Sequence, residues 1–388
     1  MTERLYYTDA YLARFDAAVL ERGDGGRRIY LDRTAFYPTS GGQPFDAGRL
    51  GESSIVNVID EGERIAHLLD APLDPAAARV EGVVEWARRF DHMQQHTGQH
   101  LLSAVLAELF GWATESVHFG AETSTLDLDA GAVSPEQMRA AETRANEIVW
   151  EDRPVTVSFE DAESAGGLRK ASDRSGTLRI VSIGELDRSA CGGTHVRATG
   201  AIGAILIRGT ERVRKQARVE FVCGGRALRD AWRNRALVQS LAAAYSAAPA
   251  DLPALVEAQR AELKGAEAAR RALEQELDAH RARALHAATP ADAAGLRRAL
   301  VRDVEGGIER LRGLAQAYAA EPRSVLVGAL AAPPALLVAT SADSGIDAGA
   351  RLQAVLGQVG GRGGGNARLA QGTVPDAAAL ARAVELLA

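Results

Sequence analysis

The hydrophobic positions change period several times along this chain. Through about residue 90, short alternating runs at 27–31, 54–59 and 80–86 recur between glycine-rich breaks. A period of two puts the apolar side chains on one face of a strand. These runs predict a small β-barrel over residues 1–90. The period then lengthens. Leu102, Val105, Leu106 and Leu109 recur at three- and four-residue steps. They predict a helix, with Asp91 as N-cap, Gln94 completing a capping box and Gly111 as C-cap. Ser134-Pro-Glu-Gln is a second helix start. Strand-like runs at 155–159, 177–183, 202–207 and 218–222 make residues 91–225 a mixed α+β domain.

From about Gly225 to Ala288 alanine, leucine, glutamate and arginine dominate, interrupted by Pro249 and Pro253. Leu263, Ala266, Ala269, Leu273 and Leu277 fall at three- and four-residue steps, so 226–290 reads as a helical or coiled-coil arm. Apolar runs at 324–330 and 335–340, flanked by helical patterns at 305–319 and 348–359, predict a small α/β domain over 291–388. The fold class is α+β overall.

Composition narrows the class. The 388 residues allow two or three domains, and 46% are hydrophobic, enough for buried cores. No apolar run nears the ~20 residues of a membrane span. The amino terminus lacks a signal-peptide core. Two cysteines at unlike positions form no disulfide framework, so a reducing cytoplasm is expected. A net charge of −6 argues against indiscriminate nucleic-acid binding.

Two short motifs carry candidate chemistry. His96-Thr-Gly-Gln-His100 places two imidazoles one helical turn apart. Cys191-Gly-Gly-Thr-His195 places a thiol and an imidazole around a glycine bend that can aim both at one point. Three imidazoles and one thiolate suit zinc. Either motif alone also reads as a polar helix rim or an ordinary turn. Cys223, before Gly224-Gly225, reads as packing.

These residues resemble the editing domain of alanyl-tRNA synthetase and its free-standing relatives, the AlaX alanyl-tRNA editing proteins. Phe36-Tyr-Pro-Thr-Ser-Gly-Gly-Gln-Pro-Phe-Asp46 is similar to the glycine-rich segment of that family's amino-terminal barrel. Gly360-Gly-Arg-Gly-Gly-Gly-Asn-Ala-Arg-Leu-Ala-Gln-Gly372 resembles the glycine-rich motif of its DHH-associated domain. The long form of AlaX is the nearest description. The barrel-like region begins almost at Met1, so the expectation is an enzyme acting in trans.

The resemblance implies a zinc-organised deacylase for mischarged tRNA(Ala), chiefly seryl-tRNA(Ala), with glycyl-tRNA(Ala) as a second substrate. It implies His96, His100, Cys191 and His195 as zinc ligands. An apolar pocket rejects an added hydroxyl only weakly, so a polar pocket group is expected to bind that of serine. Thr39, Ser40, Gln43, Ser116, His118 and Thr123 are the candidates. Arg212, Arg214, Lys215 and Arg218 crowd next to the second motif. They read either as a solvated strand edge or as a tRNA phosphate contact, and the resemblance favours tRNA. It likewise promotes Arg362, in the glycine run, to a tRNA contact. A homodimer through the carboxy-terminal region is a further expectation. A zinc-stabilised tRNA-binding module without hydrolysis is the alternative. A DHH-type phosphoesterase is disfavoured, because Asp91-His92-Met93 breaks the required motif.

Overall fold

A computed structural model describes residues 1–388 apart from 172, 174, 303, 304, 306 and 388. The chain divides into two compact units, Met1–Ser240 and Leu241–Ala388. The first opens with a closed barrel of six strands. In barrel order these are Arg14–Gly23, Arg28–Leu31, Ile65–Leu69, Ser53–Asp60, Gly48–Leu50 and Arg79–Val84. All neighbours pair antiparallel, and the pairs Arg14–Gly23/Arg28–Leu31, Gly48–Leu50/Ser53–Asp60 and Ser53–Asp60/Ile65–Leu69 are hairpins closed by short turns, while the other three pairings join strands distant in the chain. Phe15, Ile29, Leu31, Phe36, Leu50 and Ile65 fill the interior. The three alternating runs read from the sequence are strands of this barrel. The other three strands, Arg14–Gly23, Gly48–Leu50 and Ile65–Leu69, were not read from the sequence.

Helix α1 (Trp86–Phe110) begins one turn and more before the predicted start. Asp91 is not its N-cap. That position is Glu85, without a side-chain cap. Asp91 instead lies within the helix and accepts from the guanidinium of Arg226 at 2.6–3.0 Å. Gln94 likewise makes no capping box. It donates to Ala201 O and accepts from the Gly225 N–H. Gly111 does cap the other end, with φ 70°. Every residue from His92 to Leu106 is buried, so α1 is a central helix rather than an amphipathic surface one. Leu109, expected on the apolar face, is exposed.

The fully buried Arg89 fastens α1 to the barrel. Its Nε donates to both carboxylate oxygens of buried Asp46 at 2.9 and 3.0 Å, and Nη1 donates to Ala10 O at 2.8 Å. A further bond runs from Nη2 to Ala35 O. A buried charge persists only when paired and hydrogen-bonded in this way.

Around α1 stand two sheets and helix α2 (Pro135–Trp150), whose Ser134–Gln137 capping box forms as the sequence predicts. The four-stranded sheet runs Ile205–Val213, Gln216–Cys223, Ser124–Leu128, Thr114–Phe119. The three-stranded sheet runs Val155–Asp161, Thr177–Ile183, Asp187–Ala190. The run expected as a strand at 202–207 splits. Thr199–Ile202 is a 3-10 turn and the strand begins at Ile205. Their shared core includes Met93, Leu102, Leu126, Ile148, Ile183 and Phe221.

Helices α3 (Gly225–Ala244) and α4 (Leu252–Ala288) occupy the alanine-rich stretch. Pro253 falls in the first turn of α4, where a missing N–H costs no helical bond. Leu263, Leu273 and Leu277 are exposed, so the heptad-like seam of α4 is not packed within one chain. Beyond it a five-stranded sheet runs Arg297–Arg302, Ser324–Leu330, Ala335–Thr340, Leu369–Thr373, Arg362–Gly365. Helix α5 (Gly307–Ala319), with Leu311, Ala315 and Tyr318, covers one face of the sheet. Helices α6 (Ala348–Val359) and α7 (Ala377–Leu387) cover the other. Both faces are covered, which is why the two central strands read as unbroken apolar runs. The helical pattern at 305–319 includes Gly306, which lies outside the described residues. The glycine run forms one strand of an antiparallel hairpin, Arg362–Gly365 against Leu369–Thr373. Among the described residues no helix is long and apolar enough to cross a membrane.

One buried histidine in the barrel gives a pH prediction. His67 Nδ1 donates to Ile29 O at 3.1 Å, and Nε2 accepts from the Thr34 hydroxyl at 2.8 Å. Burial pushes its pKa down from 6.5 to about 4. Between those values the unfolded chain binds more protons, so stability rises with pH and is lost as pH falls. The loss is roughly 3 kcal/mol across that window. Urea midpoints of wild type and His67→Gln from pH 7.5 to 4.5 check this. The variant is expected to be less stable at neutral pH but to have the flatter pH dependence. Parallel curves would assign the acid lability elsewhere.

Candidate metal centre

The two motifs, nearly a hundred residues apart in sequence, converge. His96 and His100 project from one side of α1. Cys191 and His195 sit on the loop after strand Asp187–Ala190. One donor atom from each lies within 4.8 Å of the others. Cys191 Sγ is 3.4 Å from His96 Nε2 and 3.3 Å from His195 Nε2. The three imidazole centroids are 4.4–5.2 Å apart. Gly193 makes the approach possible, since a Cβ there would stand 2.1 Å from His96 Cε1.

Each imidazole is held at Nδ1 by a different partner. His96 Nδ1 donates to Gln43 Oε1 at 2.9 Å. His100 Nδ1 donates to Asp187 Oδ2 at 3.0 Å. His195 Nδ1 lies 3.1 Å from Thr97 Oγ1, which also accepts the Val196 N–H. These bonds leave all three Nε2 atoms facing inward. Metal-ligating histidines are oriented in this way, with the outer nitrogen bonded so that the inner lone pair is presented. Tetrahedral zinc, with N and S ligands at ~2.0–2.3 Å, requires donor–donor edges of about 3.3–3.6 Å. The two sulfur–nitrogen separations meet that requirement, and with all four donors within 4.8 Å of one another the chemistry of the set fits zinc.

The electrostatics agree with a thiolate ligand. Burial opposes ionisation of Cys191, yet His96 and His195 beside it hold its pKa well below the ordinary thiol value. Burial also lowers His195, to about 3, aided by His96. Burial works against His100 as well, but the Asp187 and Cys191 bonds raise it to about 9. Asp187 is itself held low against burial by His100 and Arg169. Arg169 Nε donates to Asp187 Oδ1 at 2.7 Å, completing a His100–Asp187–Arg169 chain.

His96, His100 and Cys191 line a cavity of about 450 Å³, while His195 lies behind them. Tyr6, Tyr37, Ser40, Gln99, Ser116 and Lys170 are among the other wall residues. Of the hydroxyl-binding candidates, Ser40 and Ser116 therefore reach the cavity. The Ser116 hydroxyl donates to Asp127 at 2.6 Å. Gln43 is buried behind His96, and its amide also bonds the Thr194 hydroxyl at 2.8 Å and N–H at 3.1 Å. Thr39, His118 and Thr123 are not among the lining residues. Thr39 is exposed and accepts the Phe45 N–H, His118 is an exposed strand residue, and Thr123 ends the 120–123 turn.

Arg212, Arg214 and Lys215 lie at the exposed tip of the hairpin joining Ile205–Val213 to Gln216–Cys223. Arg218 is engaged, donating to Asp127 at 2.7 and 3.0 Å. Arg362 is exposed on the glycine strand of the second unit. The sequence reading missed the roles of Thr97, Asp187, Thr194 and Arg169. Thr97 and Thr194 stand inside the two motifs. Asp187 and Arg169 carried no spacing signal, because their partners are set by the fold.

Residues 178–218 match the model of the threonyl and alanyl tRNA synthetase second additional domain. The bovine (Bos taurus) alanyl-tRNA editing protein Aarsd1 is 37% identical over 224 residues, 56% of this chain and 50% of that protein. The alanine–tRNA ligase of Halorubrum lacusprofundi is 34% identical over 403 residues, 99% of this chain and 43% of the ligase. The chain thus spans about half the length of the curated relatives it matches. It is a homologue of alanyl-tRNA editing proteins and alanine–tRNA ligases, consistent with an AlaX-type editing protein.

The geometry predicts metal behaviour directly. Cys191→Ala and His100→Ala proteins should lose most of the roughly one zinc per chain expected of the wild type. Gln43→Leu and Asp187→Asn should keep the site but weaken zinc by ~10–100-fold, because they release an Nδ1. Elemental analysis and chelator competition measure both. Full zinc content in the two ligand variants would remove the assignment.

Proposed function

We propose that this protein hydrolyses the ester of mischarged tRNA(Ala), acting in trans on seryl-tRNA(Ala) first and glycyl-tRNA(Ala) second. The observation that carries the reading is the convergence of both motifs on one side of a cavity, with three Nε2 atoms and a thiolate turned inward. Zinc held by His96, His100, Cys191 and His195 would supply Lewis acidity or a grip on the ribose or amine of the substrate. The chain's own residues do the positioning. Gln43, Thr97 and Asp187 orient the imidazoles. Arg169 holds Asp187, and Lys170 brings a cation to the cavity wall near the tRNA end.

The division of labour follows the chain. Residues 1–90 and 91–225 form the deacylase part. Residues 226–290 and 291–388 contribute tRNA affinity or pairing of two copies. Arg212, Arg214, Lys215 and Arg362 are exposed cations available to tRNA phosphates. Arg218 would have to leave Asp127 to join them. The setting is the cytoplasm, where both cysteines stay reduced.

Single-turnover deacylation of seryl- and alanyl-tRNA(Ala) by zinc-loaded protein tests the reading. Seryl-tRNA(Ala) should be hydrolysed about 5–150-fold faster, the equivalent of one buried hydrogen bond worth roughly 1–3 kcal/mol. Equal rates, or none, would leave a tRNA-binding module. Arg226 is bonded to Asp91 and to Gly120 O, so a truncation must end beyond it. A chain ending at Ala244 should keep zinc and single-turnover chemistry and bind tRNA more weakly, as nitrocellulose-filter binding would show. Unchanged affinity would contradict the role given to the second unit.

A further inference from the structure

Many of the polar groups lining the metal cavity are committed elsewhere, the exposed Ser40 and Glu115 side chains apart. Arg4 is paired with Asp60 at 2.7 and 2.8 Å. The Tyr37 hydroxyl donates to Ser40 O at 3.1 Å. Ser116 donates to Asp127, and Arg169 to Asp187. The Tyr6 hydroxyl has no partner but is fully enclosed. Gln99 differs from all of these. It is 5% exposed, lies between the two helical histidines and lines the cavity. Its Nε2 donates to Ser103 Oγ at 2.9 Å. Ser103 Oγ in turn accepts from the Thr114 hydroxyl at 2.8 Å. This chain fixes the plane of the amide. Among the described residues nothing bonds to Gln99 Oε1.

We propose that Gln99 is the specificity-determining residue of this cavity, with its Oε1 accepting the hydroxyl proton of a seryl ester. The inference rests on the deacylase reading and names the group that selects the substrate. A glutamine carbonyl is an acceptor only. Serine brings a donor to it, whereas alanine brings a methyl and glycine a hydrogen. A site built to hydrogen-bond a substrate hydroxyl disfavours analogues that lack it, because the acceptor is then left unpaired. The amide is neutral, so it offers no charge to the α-ammonium shared by all three substrates. The anchoring by Ser103 and Thr114 costs the substrate no side-chain ordering on binding.

The test uses the full-length zinc-loaded chain, with zinc content and thermal melts confirming that each variant is intact. Gln99→Met keeps the length and removes the acceptor. Gln99→Glu keeps an acceptor. Single-turnover rates are measured on seryl-, glycyl- and alanyl-tRNA(Ala). Binding of non-hydrolysable seryl- and alanyl-3′-amide adenosine provides a readout independent of catalysis. Gln99→Met should slow seryl-tRNA hydrolysis by about 5–150-fold while glycyl and alanyl rates stay nearly unchanged. It should also abolish the preference for the seryl adenosine, and Gln99→Glu should retain most of that preference. An unchanged seryl-to-alanyl ratio in Gln99→Met overturns the role of Gln99 while leaving the deacylase reading intact. An equal fall for all three substrates means the amide serves the shared ammonium or the helix, and also overturns it. A wild-type chain that hydrolyses none of the three and binds both adenosines alike overturns the proposal and the deacylase reading together.

Discussion

Three imidazoles can share one point only if each is prevented from using its outer nitrogen inward. Neutral imidazole has one donor and one acceptor nitrogen, and a bond at Nδ1 decides which faces the centre. Gln43, Asp187 and Thr97 supply those bonds from three places: a barrel loop, a strand and α1 itself. The architecture of the first unit is the frame that brings these three side chains to their histidines. Most of the polar middle of α1 can be buried for the same reason, since Gln94, Gln95, His96, Thr97, Gln99 and His100 find hydrogen-bond partners.

The barrel is therefore part of the site. Asp46 and Gln43 lie three residues apart on the loop that follows Tyr37. Asp46 anchors Arg89 at the start of α1, and Gln43 bonds His96 two turns further along. Gly98, one helical position from the ligand rows, lets the strand Gln216–Cys223 pass close, because a Cβ there would stand 2.3 Å from the Cys223 sulfur. Cys223 is thus a packing residue, and burial pushes its thiol pKa up, away from reactivity. The two cysteines diverge because one faces imidazoles and the other an apolar core.

The second unit is built on different terms. Its sheet is covered by helices on both faces, and its core is mainly apolar, with the bonded Ser324, Thr340 and Ser341 among its few buried polar side chains. Its glycine run owes its composition to a close antiparallel hairpin. Side chains at Gly363 and Gly365 would meet Gln371 O and Ala370 Cα within 2.4 Å. That steric reason holds whether or not the strand also meets a nucleic acid.

Much of this was legible in the chain by itself. Alternation located three of the six barrel strands, the Ser134–Gln137 capping signature located α2, and unbroken apolar runs located the strands at Ser324–Leu330 and Ala335–Thr340, because local burial and capping leave local signals. Ligand chemistry and four-residue spacing singled out His96, His100, Cys191 and His195, because spacing on a helix or in a glycine bend is a local property. The start of α1 was misread, since Asp91 and Gln94 satisfy capping rules locally but are claimed by Arg226, Ala201 and Gly225 from more than a hundred residues away. The partners that orient the imidazoles, and the free acceptor of Gln99, exist only once distant segments pack. Hydrogen-bond partnership between residues far apart in sequence leaves no period or spacing to read, so only the tertiary structure could decide it.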